Sequence, residues 1–421
     1  MELDAIPQPE LEQIERIGGA DLVIGILGDA RSADEGTALT LTREALAELS
    51  KPLRAMVVCN NGTHSPAAVA PEVPGDKQSP AIFSCSLPPP APGETPQHGI
   101  SNAYRTVFAV GGKLGVRACC LIASRSQTAA PGWIHRLIQP VLDLGFDLVA
   151  PCYTRQKMEG LLNRSVLAPL HGALYGQRLQ NPMGPDFGLS GKLLQRILVQ
   201  DSPRRRGAER SLLASIASAA ACDGFQVCES QLGVRQQSPT DWDNLSSLLA
   251  EILGAAFLEM EGRAAHWQSI RGSQTLPRLG QPEVPSPENP TPVDVKGMLQ
   301  SFRLGAQNLQ DVWGLILPPT SLLELRRLSR LTDDQFRLPD QLWVRIIYDF
   351  ALAHRLQTIS RDHLLRSLTP LYLGWIASYA LEMQAAGLTE VDSRIGLLSK
   401  AYEDNKSYLV SRWRWPDRFN P

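Results

Sequence analysis

Leu22-Val-Ile-Gly-Ile-Leu27 is a short apolar run with turn-forming residues on both sides. Similar runs follow it at Ala55-Met-Val-Val-Cys59, Ala118-Cys-Cys-Leu-Ile122 and Asp147-Leu-Val-Ala150. Between these runs, apolar residues recur at helical spacing over 40–49, 102–114 and 133–144. Short buried strands that alternate with helices are typical of a parallel sheet covered on both faces. The predicted fold class is therefore α/β.

The composition narrows the classes of function. The chain has 421 residues, which is long enough for two or three domains. Its 41 Lys and Arg residues nearly balance its 43 Asp and Glu residues, so the formal net charge is −2. Nucleic-acid-binding proteins usually carry a basic excess, so no nucleic-acid partner is predicted. No apolar run reaches the ~18 residues of a membrane-spanning helix, and the first residues lack a signal-peptide pattern.

The cysteines predict the compartment. Seven of them are scattered along the chain, with no Cys-x-x-Cys pair. This pattern fits neither a disulfide framework nor a zinc site. A reduced, cytoplasmic protein is the resulting prediction.

Proline-rich segments predict the domain organisation. Residues 277–292 have the composition of a stiff linker, and helix formers and aromatic residues dominate beyond them. Helical spacing there covers 313–317, 322–331, 342–356, 363–384 and 395–412. We predict a sheet-containing domain over 18–270, a linker over 271–294 and a helical domain over 295–421.

Gly25-Ile-Leu-Gly28 ends the first predicted strand and invites comparison with a dinucleotide-binding turn. It lacks the close glycine pair and the third glycine that such a turn needs, so a nicotinamide-dependent oxidoreductase is not favoured. Asp29 follows directly. Its carboxylate is either a ligand of a ribose or base edge or a solvated loop group.

Charged residues concentrate after the fourth predicted strand. In Pro151-Cys-Tyr-Thr-Arg-Gln-Lys-Met-Glu-Gly160, Arg155 and Lys157 lie at the sheet edge where α/β proteins bind ligands. Two cations there suit a phosphate or diphosphate. Asp186, in Asn181-Pro-Met-Gly-Pro-Asp-Phe-Gly188, lies in a constrained loop that presents a carboxylate to a hydroxyl. The alternative is a solvated charged loop followed by an ordinary turn.

The block from Asp147 to Gly160, with Leu174-Tyr-Gly176 and Pro182-Met-Gly-Pro-Asp-Phe-Gly188, resembles a bacterial branch of nucleotide-sugar glycosyltransferases with the GT-A fold. This branch is similar to the glucosyl-phosphoglycerate and mannosylglycerate synthases. The segments 343–350 and 367–374 share the resemblance, which spans about 20–382. It implies a GT-A-like donor-binding domain, a helical C-terminal extension and transfer of a sugar from a nucleotide diphosphate to a small hydroxyl acceptor.

Several positions depart from the family pattern. The Asp-x-Asp motif that binds a divalent cation is degenerate and reads Ala123-Ser-Arg125, in which an alanine and an arginine cannot replace the oxygen ligands of Mg²⁺ or Mn²⁺. Gly233-Val-Arg-Gln-Gln237 stands where a histidine ligand is common, and Asn60-Asn-Gly-Thr-His64 replaces a glycine-rich stretch. Of the acidic residues that serve as base, Glu209 remains. We therefore predict no metal at the usual position and assign no cofactor.

These departures leave two hypotheses open. The first is a transferase that works without a metal, because fixed cations can neutralise a diphosphate. Its predicted donor-binding residues are Asp29 at the nucleoside and Arg125, Arg155 and Lys157 at the diphosphate. Its predicted catalytic residues are Asp186, which orients the acceptor hydroxyl, and Glu209, the candidate base.

The second hypothesis is a catalytically inactive homologue, a pseudoenzyme. The motif positions have changed together while the scaffold motifs remain, which is what loss of chemistry with retention of packing produces. Such a protein would serve as a binding or scaffolding subunit. Its helical C-terminal domain would then contact a protein partner or a second copy of the chain.

Overall fold

The computed structural model of the protein describes residues 6, 8–28, 35–49, 51–59, 81–87, 96–124, 131–201, 211–234, 244–283 and 293–416. They fall into two compact units. The first unit takes its residues from Met1–Thr154, Asn181–Gln237 and Leu276–Val284, and the second from Arg155–Gln180, Ser238–Thr275 and Pro285–Pro421. Both units are discontinuous in sequence. The predicted domains over 18–270 and 295–421 concern independently folding pieces and stay predictions.

The first unit contains an eight-stranded sheet. The strands of the described chain are β1 Leu22–Gly28, β2 Arg54–Cys59, β3 Ala81–Ser86, β4 Ala118–Ser124, β5 Leu148–Thr154, β6 Gln177–Arg178, β7 Phe187–Ser190, β8 Val227–Val234, β9 Gln274–Thr275 and β10 Arg278–Leu279. The order in the sheet is β10-β8-β5-β7-β4-β1-β2-β3. The short strand β7 is antiparallel to both β4 and β5, and the other pairs are parallel. The predicted α/β class with a mostly parallel sheet is confirmed.

Helices make up most of the remaining described chain. They are α1 Gln8–Ile17, α2 Glu35–Ala47, α3 Pro96–Leu114, α4 Pro131–Asp143, α5 Ala168–Tyr175, α6 Gly191–Gln200, α7 Leu212–Cys222, α8 Leu245–Gly262, α9 Ala264–Trp267, α10 Val295–Asn308, α11 Gln310–Gly314, α12 Pro319–Leu328, α13 Asp340–Leu356, α14 Arg361–Ser367, α15 Thr369–Glu382, α16 Leu388–Asp404 and α17 Lys406–Arg414. A π-helix, Asn163–Leu167, precedes α5. None of these helices is both long and apolar enough to cross a membrane.

The C-terminal helical region is divided more finely than the sequence pattern predicts. The helix expected over 363–384 is two helices, α14 and α15. Pro370 lies in the first turn of α15, where its missing N–H is tolerated, whereas the same residue inside a continuous helix would break a hydrogen bond. Proline chemistry therefore explains the break.

Part of the core of the first unit lies between the sheet and helix α4. Leu22, Ile24 and Ile26 alternate onto the face of the sheet that packs against Trp133 and Leu137 of α4. Gly188 of β7 lies so close to the backbone of α4 that a Cβ at this position would overlap the carbonyl of Leu137. The glycine lets the helix backbone approach the sheet.

Aromatic residues dominate the core of the second unit. The rings of Trp343 and Trp375 are stacked with centroids 6.0 Å apart, and Tyr379 stacks on Trp375 at 5.2 Å. The indole N–H of Trp343 donates to the carbonyl of Ser165 in the π-helix, 3.2 Å away. Buried aromatic rings with satisfied polar atoms bury a large apolar area and fix the packing of the helices.

Candidate functional site

The carboxyl edge of the sheet is the place where an α/β protein binds its ligand. Strands β1, β4, β5 and β8 are parallel, so their last residues lie along one edge of the first unit. Asp29 and Arg125 follow the ends of β1 and β4 directly, but both lie outside the described residues, as does Glu209. Their predicted roles stay predictions.

Asp186 lies between β4 and β5, on the side of β7 that faces this edge. It precedes β7, whose first residue, Phe187, pairs with Leu121 in the middle of β4, and because β7 runs antiparallel, the chain before Phe187 lies towards the carboxyl ends of β4 and β5. The carboxylate is fully buried and accepts a hydrogen bond from the hydroxyl of Tyr153. Asp186 is thus held inside the unit, and its predicted contact with an acceptor hydroxyl stays a prediction.

The loop before Asp186 is fixed by hydrogen bonds to its neighbours. The side-chain amide of Asn181 donates to the carbonyl of Pro151, 2.9 Å away. The hydroxyl of Tyr104, on α3, donates to the carbonyl of Pro185. These bonds hold the loop against β5 and α3, as the Gly- and Pro-rich sequence suggested.

Buried thiols beside this loop are not nucleophiles. Burial raises the pKa of Cys120 well above its usual range, and the charges of Cys119 and Asp186 raise it further. The thiolate is the reactive form of cysteine, so Cys120 stays an inert thiol. The chemistry of this edge therefore depends on carboxylates and cations.

A second carboxylate, Glu283, lies at the carboxyl ends of β5 and β8. Its backbone carbonyl accepts a hydrogen bond from the hydroxyl of Thr154, the last residue of β5, at 2.9 Å. Its side-chain oxygens lie over Gly233 of β8, 2.6 and 2.7 Å from where a Cβ of residue 233 would be. The guanidinium of Arg136, on α4, is 3.8 Å from Oε1 of Glu283.

Sequence analysis did not identify this pair. Glu283 falls in the segment predicted to be a linker, and Arg136 occupies a polar position of a predicted helix. The signal that was available is Gly233 at the end of a strand. In the structure its φ is +85°, which favours glycine, and the ladder between β5 and β8 is irregular directly before it.

Arg155 and Lys157 belong to the second unit, whereas Asp186 belongs to the first. Lys157 Nζ donates to the carbonyls of Met383 and Gln384, at 3.4 and 3.1 Å, just after the end of α15. The guanidinium of Arg155 lies over Gly160, where a Cβ would overlap it. Both cations therefore make contacts inside the second unit, and their predicted contact with a diphosphate stays a prediction.

The resemblance to GT-A glycosyltransferases implies a divalent cation after β4. The last residues of β4 are Ala123 and Ser124, and Arg125 comes next, so this position has no carboxylate. Among the described residues, no three His, Cys, Asp or Glu side chains are grouped to hold a metal ion. The residues at this position do not fit a divalent cation.

Comparisons with known proteins give structural matches alone. No protein-family profile matches the chain, and no curated protein sequence matches it. Glucosyl-3-phosphoglycerate synthase from Mycobacterium tuberculosis, solved with Mn²⁺, UDP-glucose and phosphoglyceric acid, is similar at 16% identity. That match covers 60% of this chain and 82% of the synthase, with a TM-score of 0.35.

Two further solved structures are similar. Mannosyl-3-phosphoglycerate synthase from Rubrobacter xylanophilus is 14% identical over 61% of this chain and 80% of that one, with a TM-score of 0.37. A mannosyltransferase from Pyrobaculum calidifontis, solved with GDP-mannose and Mn²⁺, is 9% identical over 95% of this chain and 88% of that one, with a TM-score of 0.36.

Proposed function

We propose that the protein binds a nucleotide-diphosphate sugar at the carboxyl edge of its sheet and transfers the sugar to a small hydroxyl acceptor. One observation carries the proposal. The block whose sequence resembles the glycosyltransferases forms β5, the fixed loop of Asp186 and the antiparallel strand β7 at that edge. The motif is therefore built into the part of an α/β sheet that binds ligands.

The donor in this proposal is bound by fixed charges. Asp29, after β1, holds the nucleoside, and Arg125, after β4, neutralises the diphosphate where a cation is usual. A leaving diphosphate needs positive charge in the transition state, which a guanidinium supplies with hydrogen bonds. Arg155 and Lys157 are the further proposed cations. No step of this mechanism passes through a metal.

The acceptor hydroxyl is oriented by Asp186 in this proposal, and Glu209 is its candidate base. Asp186 is buried beneath Tyr153, so contact with an acceptor requires the Tyr153 side chain to turn away. Such a movement would expose the carboxylate only when the acceptor replaces the tyrosine hydroxyl as hydrogen-bond donor.

An inactive homologue is the second candidate function. It is favoured by the simultaneous change of Ala123-Ser-Arg125, Asn60-Asn-Gly-Thr-His64 and Gly233-Val-Arg-Gln-Gln237. In that case the protein is a scaffold that contacts a partner, or a second copy, through its helical part. Its cytoplasmic location stays a prediction under either function.

Titration calorimetry with UDP-glucose and GDP-mannose, each with and without Mn²⁺, tests donor binding. We expect one donor to bind equally well under both conditions. Arg125→Ala should weaken that binding at least ~10-fold, because a charge-assisted hydrogen bond contributes about 1.5–3 kcal/mol. Arg327→Ala, on the exposed face of α12, is the control and should leave the affinity unchanged.

The results separate the two functions. If neither donor binds under either condition, nucleotide-sugar binding is wrong. If a donor binds and nucleoside diphosphate is released over time, the inactive scaffold is wrong. Binding without release supports the scaffold.

A further inference from the structure

The carboxylate of Glu283 has fewer close polar contacts than those of Asp186 and Asp201, two other carboxylates of the first unit. Asp186 accepts a hydrogen bond from Tyr153, and Asp201 pairs with Arg105 at 2.8 Å. Within the described part of the chain, the side-chain oxygens of Glu283 accept no hydrogen bond. Their charged neighbour is Arg136, at 3.8 Å, which is too long for a hydrogen bond. With respect to the described residues, the acceptor sites of this carboxylate are thus unused.

The position of Glu283 is nevertheless fixed. Thr154 holds its backbone carbonyl at the end of β5, and the absence of a side chain at Gly233 leaves room for the carboxylate over β8. Arg136 is itself anchored, because its guanidinium donates to the carbonyl of Gln231 at 3.0 Å. The backbone of residue 283 is therefore anchored at the end of β5, and its carboxylate lies between Gly233 and an anchored guanidinium.

The pair is also open to solvent. The side chains of Arg136 and Glu283 are 44% and 53% exposed, whereas Asp186 has no exposed surface. A surface ion pair at this distance adds little to stability, so packing alone does not account for the arrangement. A fixed, exposed carboxylate at the carboxyl edge of a parallel sheet suits a ligand that donates hydrogen bonds.

We propose that Glu283, in place of the candidate Glu209, is the base of the transferase and binds the acceptor hydroxyl, and that Arg136 is the residue that positions Glu283. This inference rests on the proposed function. Glu283 accepts the hydrogen bond of the acceptor hydroxyl and takes its proton while the hydroxyl oxygen bonds to the anomeric carbon. The bond from that carbon to the phosphate oxygen breaks, and its electron pair leaves with the nucleoside diphosphate.

Release of nucleoside diphosphate from the bound donor tests the assignment, with water and then glycerol as the acceptor. Glu283→Gln keeps the size of the side chain and removes the base. A positioned general base contributes about 10²–10⁴-fold to rate, so release should fall at least ~100-fold. The donor Kd should stay within about twofold, because Glu283 contacts the acceptor. Glu324→Gln, an exposed glutamate paired with Arg327 on α12, is the matched control and should keep the wild-type rate.

The positioning role of Arg136 is tested separately, by comparing its effects on kcat and on KM. Arg136→Gln should lower kcat about tenfold and leave the KM for the donor unchanged, and Arg136→Lys should recover most of the loss. A merely structural arginine would change thermal stability and KM together. Circular dichroism melting of each variant establishes that it is folded, which is expected for exchanges at half-exposed side chains.

Each outcome decides the proposal. A Glu283→Gln rate equal to that of the wild type overturns it, as does a loss confined to Glu209→Gln. A wild-type protein that binds the donor without releasing nucleoside diphosphate also overturns it, while donor binding stands. Failure of the wild type to bind any donor is a different result, because it overturns the proposed function itself.

Discussion

The carboxylates of Asp349, in the second unit, and Glu283, in the first, differ in burial and in hydrogen bonding. Asp349, on α13, is buried; it accepts hydrogen bonds from the Tyr408 hydroxyl at 2.9 Å and pairs with Arg412 at 2.9 Å. Burial raises the pKa of Asp349 to about 7, and Arg412 offsets part of that rise. Glu283 is half-exposed and accepts no hydrogen bond from the described residues.

This difference distinguishes a carboxylate that stabilises the fold from one that can bind a ligand. A buried charge must be satisfied inside the protein, because leaving it unpaired costs several kcal/mol. A carboxylate that is fixed but unsatisfied still has its hydrogen bonds to offer to a ligand. We therefore expect substitutions at Asp349 to change stability and substitutions at Glu283 to change chemistry.

Asp349→Ala should give the largest loss of stability. It leaves the Arg412 guanidinium buried without its carboxylate, which costs about 3–5 kcal/mol of unfolding free energy. Urea denaturation followed by circular dichroism measures the loss. Glu283→Ala should cost less than ~0.5 kcal/mol in the same experiment, since exposed ion pairs contribute little.

Two further variants sharpen this result. Asp333→Ala removes a carboxylate that pairs with Arg303 at the surface of the second unit, and it should cost less than ~1 kcal/mol. Arg412→Met in the Asp349→Ala background should recover part of the loss, because it removes the buried positive charge that Asp349 had balanced. Equal losses for Asp349→Ala and Glu283→Ala would contradict the comparison.

Acid should destabilise the second unit through His354. Its ring packs edge-on against Phe257, and burial, with the nearby charge of Arg361, lowers its pKa to about 4. The unfolded chain binds a proton near pH 6.5, so the folded state loses stability as the pH falls from 6.5 towards 4. Between pH 7 and pH 5 this loss is about 2 kcal/mol.

Urea denaturation at the two pH values measures the effect. In His354→Gln the difference between pH 7 and pH 5 should shrink by about 2 kcal/mol. The exposed His363, on α14, supplies the control: His363→Gln should retain the wild-type difference. A pH dependence that is the same in all three proteins would show that His354 is not its source.

Much of this fold was predictable, for identifiable reasons. Buried parallel strands are continuous apolar runs, so β1, β2, β4 and β5 stand out in the sequence. Strand β7 does not, because its four residues, Phe187-Gly-Leu-Ser190, follow a Gly- and Pro-rich loop that looks like a turn. Its place in the sheet depends on tertiary packing: Gly188 lies against α4, and Phe187 and Leu189 are buried.

The candidate site was harder to predict than the fold. The Gly- and Pro-rich loop made Asp186 a candidate, but that pattern does not show that the carboxylate is buried and accepts a hydrogen bond from Tyr153. Glu283 was not predicted because the chain after β10 continues alongside β8 and brings Glu283 to Gly233 and Thr154, which proline-rich composition does not reveal. Asp29, Arg125 and Glu209 lie outside the described residues and stay predictions.

Tyr153→Phe tests how much the hydrogen bond from Tyr153 to the buried carboxylate of Asp186 contributes to stability. Loss of the hydroxyl leaves a buried carboxylate with one hydrogen bond fewer, which should cost about 1.5 kcal/mol. Tyr402→Phe, which removes a hydroxyl that donates to the carbonyl of Ser165 at 3.0 Å, is the control with a neutral acceptor. Its cost should be smaller, about 1 kcal/mol. Urea denaturation of both variants gives the two values, and the reverse order would mean that Asp186 is satisfied by its other contacts.

Lys157→Gln should have the smallest effect on stability. The affinity of this variant for the sugar donor shows whether Lys157 also binds the diphosphate. The ammonium group donates to the carbonyls of Met383 and Gln384 just beyond α15, where a cation also interacts favourably with the helix dipole. Its loss should cost about 0.5 kcal/mol. If Lys157 also contacts the diphosphate, the donor Kd should rise at least ~10-fold, because a charge-assisted bond is lost. An unchanged Kd with the expected loss of stability would mean that Lys157, like Asp349, serves packing alone, and that charge after a strand is not by itself evidence of ligand binding.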